Sequence, residues 1–90
     1  GFHFYVLQTP GHSIGGVSLV FPDDRLVLTG DALFRERIGR TDLPTGNMEQ
    51  LLTSIREKLL VLPKDYTVYP GHGNDTTISH EKIFNPFLAQ

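Results

Sequence analysis

The apolar and polar positions of this chain change rhythm several times, and each rhythm predicts a different element. Residues 2–8 are aromatic and β-branched enough for a strand, which Pro10 and Gly11 stop before His12. Val17, Leu19 and Phe21 alternate with Ser18 and Val20, and Pro22, Asp23 and Asp24 then turn the chain. Residues 25–29 return as a second apolar strand, so a β-hairpin is expected to end beside Asp31. From 34 to 46 the pattern is lost. Arg35, Arg37, Arg40, Asp42, Pro44 and two glycines predict a long, polar, irregular loop, a kind of segment that is functional or disordered in compact domains.

Asn47 is suited to cap a helix, with Gln50 placed to reach back in a capping box. Met48, Leu51, Leu52, Ile55, Leu59 and Leu62 follow as one apolar stripe at three- and four-residue steps, until Pro63 ends the helix. A short strand over 66–69 leads into Pro70, Gly71 and His72. A second helix is expected over 77–88, capped by Thr77 or Ser79 and disturbed at Asn85 and Pro86. No internal repeat interrupts this order of strand, hairpin, helix, strand and helix. It predicts an α/β (α+β) architecture, one mostly antiparallel sheet with helices on one face. Leu19, Val27 and their neighbours supply apolar residues to both sides of the hairpin, so the other face is expected to need a further sheet or a second copy.

Composition narrows the function classes. Ninety residues make one small domain or part of a larger one, burying roughly three-fifths of the unfolded surface. Six Phe and three Tyr can build a core, and a net charge of −2 argues against nucleic acid or an anionic membrane as partner. No apolar stretch approaches the roughly 18 residues of a membrane span, and the start carries no basic flank or cleavage pattern. The expectation is a soluble protein, cytoplasmic by default. Without cysteine, disulfides and thiolate sites are excluded, and a transition metal must be held by His and carboxylate. Because Gly1 opens the chain inside an expected strand, a fragment or trimmed chain is expected over the single partial domain 1–90.

Candidate chemistry sits in three short motifs: Thr9-Pro-Gly-His-Ser13, Leu28-Thr-Gly-Asp-Ala32 and Tyr69-Pro-Gly-His-Gly73. Each puts one ligand-type residue, His12, Asp31 or His72, just past an expected strand on a turn of small residues, where side chains project from a rigid edge. Two imidazoles and a carboxylate suit zinc, iron or manganese. An Asp between two His-bearing loops can bridge two metals roughly 3.5–4 Å apart, generating hydroxide from water near neutral pH and polarising a carbonyl. Spacing alone equally allows turn residues bonded to the backbone. No His-x-His or His-x-x-x-His cluster supplies further ligands.

Taken together, Thr9-Pro-Gly-His-Ser-Ile-Gly-Gly16, Leu28-Thr-Gly-Asp-Ala-Leu-Phe34, Ile38-Gly-Arg-Thr-Asp42 and Tyr69-Pro-Gly-His-Gly73 resemble the later motifs of the metallo-β-lactamase-fold hydrolases, in the glyoxalase II-like (hydroxyacylglutathione hydrolase-like) branch, and they come in family order. The resemblance extends from Val6 to Leu88. It implies that His12 binds a first metal, Asp31 bridges both, and His72 binds the second, with two zinc ions per intact site and iron or manganese as alternatives. It also implies that the chain is the C-terminal half of an αββα sandwich whose inner face packs on an absent N-terminal half or in a homodimer. The family's His-x-His-x-Asp-His motif is not in this chain, so four of the usual ligands are missing and the piece alone is expected to be inactive.

Other residues carry weaker expectations. Arg40 and Asp42 match the family's Gly-Arg-Thr-Asp segment, as a structural ion pair or as an orienting pair near the site. Ser13 lacks a Gly-x-Ser-x-Gly elbow and is read as a turn residue. His3 and His80 are read as non-ligands, and Tyr69 and Phe34 as packing residues. The leading function implied is a metal-dependent hydrolase of a glutathione-type thioester. The alternatives are a mononuclear iron enzyme similar to persulfide dioxygenases, using His12 and Asp31, and a non-catalytic scaffold or dimerising module.

Overall fold

Alternation between Val17 and Phe21 sets the register of the main sheet. The computed structural model describes residues 3–88 and contains, in order, β1 (Tyr5–Gln8), β2 (Val17–Phe21), β3 (Leu26–Gly30), β4 (Leu33–Phe34), β5 (Arg37–Ile38), α1 (Met48–Ser54), β6 (Thr67–Pro70), β7 (Thr76–Thr77) and α2 (Ile78–Phe84). β1, β2 and β3 form an antiparallel meander, β6 adds in parallel to β3, and β7 closes the order β1-β2-β3-β6-β7. The mostly antiparallel α+β sheet expected from sequence is therefore present, with β3–β6 as its one parallel pair.

Because side chains alternate across a strand, this register sorts the residues into two faces. Val20, Val27 and Val68 lie in one cross-strand row and are fully buried under Leu51, Ile55, Leu59 and Ile78. Val6, Leu19, Leu28 and Tyr69 form the row on the other face, where Val6, Leu28 and Tyr69 are exposed. Phe4 stacks on Phe21, their ring centroids 5.2 Å apart, and Val17 at the other end of β2 is exposed too. One face is a finished core, and the other is an open apolar surface.

The first expected strand begins at Tyr5, and Phe2 lies outside the described residues. The expected irregular loop over 34–46 is corrected at its start. Leu33–Phe34 and Arg37–Ile38 pair as a small antiparallel hairpin, with Glu36 at φ +59° in the turn. Two-residue strands are too short to leave an alternating pattern.

Asn47 caps α1 by accepting from the Gln50 N–H at 2.9 Å. Only that half of the expected capping box forms, since the Asn47 N–H is donated to the Gly11 carbonyl at 2.6 Å. The helix continues through Ile55–Leu59 as a wider π turn, which the three- and four-residue spacing did not foretell. Thr77, not Ser79, caps α2 by accepting from the His80 N–H at 3.1 Å. The helix stops at Asn85, short of the expected 88, because the proline that follows disfavours helical backbone at the residue before it.

β1 lies at the edge of the main sheet, and the Lys58 ammonium donates to the Gln8 carbonyl at 2.7 Å. Among the described residues, no helix is long and apolar enough to cross a membrane.

Candidate metal centre

Strand direction is what gathers the three motifs. β1 and β3 each run antiparallel to β2, and β6 runs parallel to β3, so all three point the same way. The loops that follow them emerge at one edge of the sheet. His12 follows β1, Asp31 follows β3 and His72 follows β6.

Local geometry then fixes each loop. Gly30, at φ +53°, opens the turn that carries Asp31, a conformation with no penalty for a residue lacking Cβ. The Ala32 N–H closes that turn on the Thr29 carbonyl at 3.0 Å, while the buried Thr29 hydroxyl donates to the Leu33 carbonyl at 2.8 Å. The Gly71 N–H donates to the Gly30 carbonyl at 2.8 Å and ties the His72 loop to the Asp31 turn. Gly39 seals the arrangement from the β5 side. A Cβ there would run into the Asp31 carbonyl oxygen and lie 3.3 Å from the His12 Cβ.

His12, Asp31 and His72 consequently line one cavity of about 310 Å³, with Phe34, Arg37, Ile38, Gly39 and Arg40 as its other walls. His12 Nε2 lies 3.7 Å from Asp31 Oδ2, and His72 Nδ1 lies 3.7 Å from Asp31 Oδ1. Each carboxylate oxygen thus faces a different imidazole. The separation exceeds a hydrogen bond of 2.7–3.2 Å. It is close to the edge of a coordination tetrahedron, roughly 3.3–3.6 Å for ligands about 2.0–2.2 Å from a metal.

The His12 Nδ1–H donates to the Arg40 carbonyl at 2.8 Å. A carbonyl only accepts, so Nδ1 carries a hydrogen, and in the neutral ring the lone pair is then on Nε2, on the side of Asp31, as metal binding through Nε2 requires. The His72 ring packs at 4.7 Å from the Phe34 ring. The donor set fits zinc, iron or manganese in type, and it fits in pairs. Among the described residues no three His, Asp or Glu side chains close around a single point that could hold a metal ion. Asp31 and His72 are 52% and 67% exposed, which leaves room for ligands from elsewhere.

The remaining candidates separate cleanly. Arg40 grips Asp42 through Nε and Nη2 at 2.8 and 3.0 Å, and this hydrogen bonding holds the exposed Asp42 carboxyl below the usual range. Arg40 also contributes its carbonyl and its chain to the cavity wall. Ser13 accepts backbone bonds from Gly11 and Gly16 through its carbonyl, at 3.2 and 3.4 Å, as a turn residue does. His80 is away from the cavity, paired with Glu36 at 2.9 Å. Phe34 is buried as expected, yet it also lines the cavity beneath His72. Arg37 lay hidden in the expected irregular loop, Ile38 stood in the Ile38-Gly-Arg-Thr-Asp42 motif with no wall role to mark it, and no sequence signal announces a backbone carbonyl such as that of Arg40.

Comparison with known proteins gives the arrangement its context. The model of the metallo-beta-lactamase superfamily matches residues 1–72. A probable metallo-hydrolase of Streptococcus pyogenes is 69% identical over 88 residues, 98% of this chain and 38% of the relative. Hydroxyacylglutathione hydrolase GloC of Haemophilus influenzae is 48% identical, over 98% of this chain and 42% of the relative. The chain therefore spans about two-fifths of the length of these relatives.

Among solved structures, the BLEG-1 B3 metallo-beta-lactamase superposes with a TM-score of 0.96 at 47% identity, covering 99% of this chain and 43% of that one. A protein crystallised in a di-iron-bound form gives 0.91 at 46% identity, covering 94% and 42%. ETHE1 from Myxococcus xanthus gives 0.88 at 43% identity, covering 94% and 39%.

Proposed function

Because this chain belongs to the metallo-beta-lactamase superfamily, we propose that it supplies part of the dinuclear metal site of a hydrolase that cleaves a glutathione-type thioester. The superfamily assignment supports a hydrolytic metalloenzyme for the whole protein, and that activity, the thioester and the residue roles together are the proposal. One observation carries it. The two oxygens of Asp31 face two different imidazoles at the same 3.7 Å, an arrangement that suits a carboxylate shared between two metals. His12 and Asp31 would hold one metal, and His72 and Asp31 the other. Zinc is the proposed occupant, with iron and manganese as alternatives that the same donor types admit.

When bound, such metals supply Lewis acidity, which ionises water near neutral pH and polarises a carbonyl. This chain's residues have their own tasks. The Arg40 carbonyl holds the His12 tautomer, Phe34 backs the His72 ring, and the walls at Ile38 and Gly39 enclose the side of the cavity nearest His12. Two ligands per metal fall short of the three a catalytic zinc normally takes, so the piece by itself is expected to be inactive. The remainder of the protein would bring the missing ligands and cover the open face of Val6, Leu28 and Tyr69. The cytoplasm remains the proposed location.

The alternative of a single iron and oxygen chemistry, which the likeness to ETHE1 keeps in view, uses His12 and Asp31 but gives His72 no task. The test is to purify the whole protein, count its metals, and assay S-lactoylglutathione hydrolysis beside oxygen uptake with glutathione persulfide. Two metals per chain and thioester cleavage are expected. His72→Ala should remove one metal and at least about a hundredfold of activity. One iron with oxygen consumption would overturn the reading.

A further inference from the structure

One small hairpin reaches the surroundings of all three candidate ligands. β4 follows Asp31 by way of Ala32, and its Phe34 ring packs 4.7 Å from the ring of His72. β5 leads into Gly39, whose N–H donates to the Ala32 carbonyl at 3.0 Å, and then into the Arg40 carbonyl that accepts from His12. A displacement of this hairpin would therefore disturb both imidazoles. Yet the hairpin has little to hold itself in place. Its strands are two residues each, too few pairings to be stable unaided. Its turn puts Glu36 at φ +59°, a left-handed conformation that a residue with a side chain keeps only where its surroundings impose it.

The restraint comes from α2 and its C-terminal cap, on the far side of the sequence. Glu81 is fully buried, and its Oε1 accepts from the Glu36 N–H and from the Asn85 amide, each at 2.9 Å. Its Oε2 accepts from the Thr76 hydroxyl at 2.7 Å, which fixes the plane of the carboxyl group. Asn85 also donates to the Arg37 carbonyl at 3.2 Å, so the backbone is gripped at two successive residues. His80 Nε2 lies 2.9 Å from the Glu36 carboxylate and adds a hold on the side chain. Glu81 itself has no cationic partner among the described residues. An acid buried in that way is unfavourable unless hydrogen bonds satisfy it, and here one of them is directed at the turn of the hairpin.

We propose that Glu81 is a positioning residue for the site: by fixing the Glu36 N–H it holds the hairpin where the Arg40 carbonyl meets His12 and Phe34 backs His72. This rests on the reading of His12, Asp31 and His72 as metal ligands, and adds to it a control point outside the cavity. Glu81 touches neither metal nor substrate.

The test uses the whole protein, metal-free and metal-loaded. In the metal-free form, nitrogen NMR of the imidazoles reports the His12 tautomer, and the Nδ1–H form should dominate in wild type. Glu81→Ala should add a visible Nε2–H population. Glu81→Asp keeps an acid in the same place but is too short to reach Glu36, and should shift the tautomer in the same direction even if Glu81→Ala does not fold. Glu81→Gln should stay close to wild type, since its amide oxygen can accept from Glu36 and its N–H can donate to the Thr76 hydroxyl. Metal affinity, measured by competition with a chelator, should fall about tenfold in Glu81→Asp, the scale of a disturbed orienting partner. Val20→Ala, a core change in β2, controls for stability alone and should leave tautomer and affinity as in wild type. A wild-type His12 tautomer in Glu81→Asp overturns the positioning role, and so does a loss of affinity in Val20→Ala as large as that in Glu81→Asp. If wild type binds no metal, the metal-centre reading fails, and the metal-free imidazole spectra decide the positioning role alone.

Discussion

His12 is oriented by the main chain of Arg40, its Nδ1–H meeting that carbonyl at 2.8 Å. An orienting partner of this kind ordinarily accounts for 10- to 100-fold in metal affinity. A side-chain substitution cannot delete a carbonyl, but Gly39 controls where it lies. Gly39→Ala forces a methyl group against the Asp31 carbonyl and the His12 Cβ. The expected outcome is a loss of about 1–3 kcal/mol of stability, with metal affinity falling by a factor on the order of ten or more. Metal content after dialysis against a graded chelator, compared with Gly15→Ala in open space, measures it. Unchanged metal retention in Gly39→Ala would contradict the orienting role.

Glu81 is fully buried and accepts from the Glu36 N–H at 2.9 Å, the Thr76 hydroxyl at 2.7 Å and the Asn85 amide at 2.9 Å. Glu81→Ala orphans these donors, each at a cost on the order of 1–3 kcal/mol. The urea midpoint should fall steeply. Glu81→Gln keeps one acceptor oxygen and should fall less. Equal midpoints for wild type and Glu81→Ala would mean that the three bonds contribute nothing.

Acid should remove a specific ion pair. Arg25 donates to both oxygens of Asp65, and this hydrogen bond, ahead of the coulombic attraction, lowers the Asp65 pKa. A depressed carboxyl stabilises the fold above its unfolded pKa near 4, and the contribution fades as pH falls through the lower folded value. Both groups are exposed, so the effect is small. Asp65→Asn should lower Tm at pH 7 and leave it equal to wild type near pH 2. A gap that persists at low pH would assign the effect to something other than charge.

The apolar row of Val6, Leu28 and Tyr69 makes opposite predictions for the piece and the whole protein. In the isolated 90 residues, Leu28→Lys should reduce self-association and binding of an apolar dye. Within the whole protein the same change should destabilise by about 2–5 kcal/mol, as burial of an unpaired charge does. Sedimentation of the piece and calorimetry of the whole provide the two readings. Tolerance of Leu28→Lys in both would mean that nothing covers this face.

How far the sequence could be read depended on how local each signal was. The stripe from Leu51 to Leu62, the caps at Asn47 and Thr77, and the alternation around Leu19 are set by neighbours in the chain, and they were legible. So were His12, Asp31 and His72, through small residues around each. Their pairing in space was one of two readings that spacing left open, and family resemblance favoured it, because it arises from the parallel alignment of β3 and β6, strands some forty residues apart. The hairpin at Phe34 and Arg37 escaped because its support comes from Glu81 and Asn85 in α2, far along the chain. The π turn escaped for a different reason: its one-residue widening leaves the apolar stripe intact.

The ammonium of Lys58 on the Gln8 carbonyl bears on how the molecule avoids its own kind. Thr9 continues the β1–β2 ladder through its N–H to Gly16, so by strand alternation the polar groups of Gln8 point outward. An incoming strand that templated itself on this margin would have to strip a charged, hydrated group from the acceptor it needs. Growth of the sheet by accretion of further chains is thereby discouraged at β1, where a bare margin would invite it.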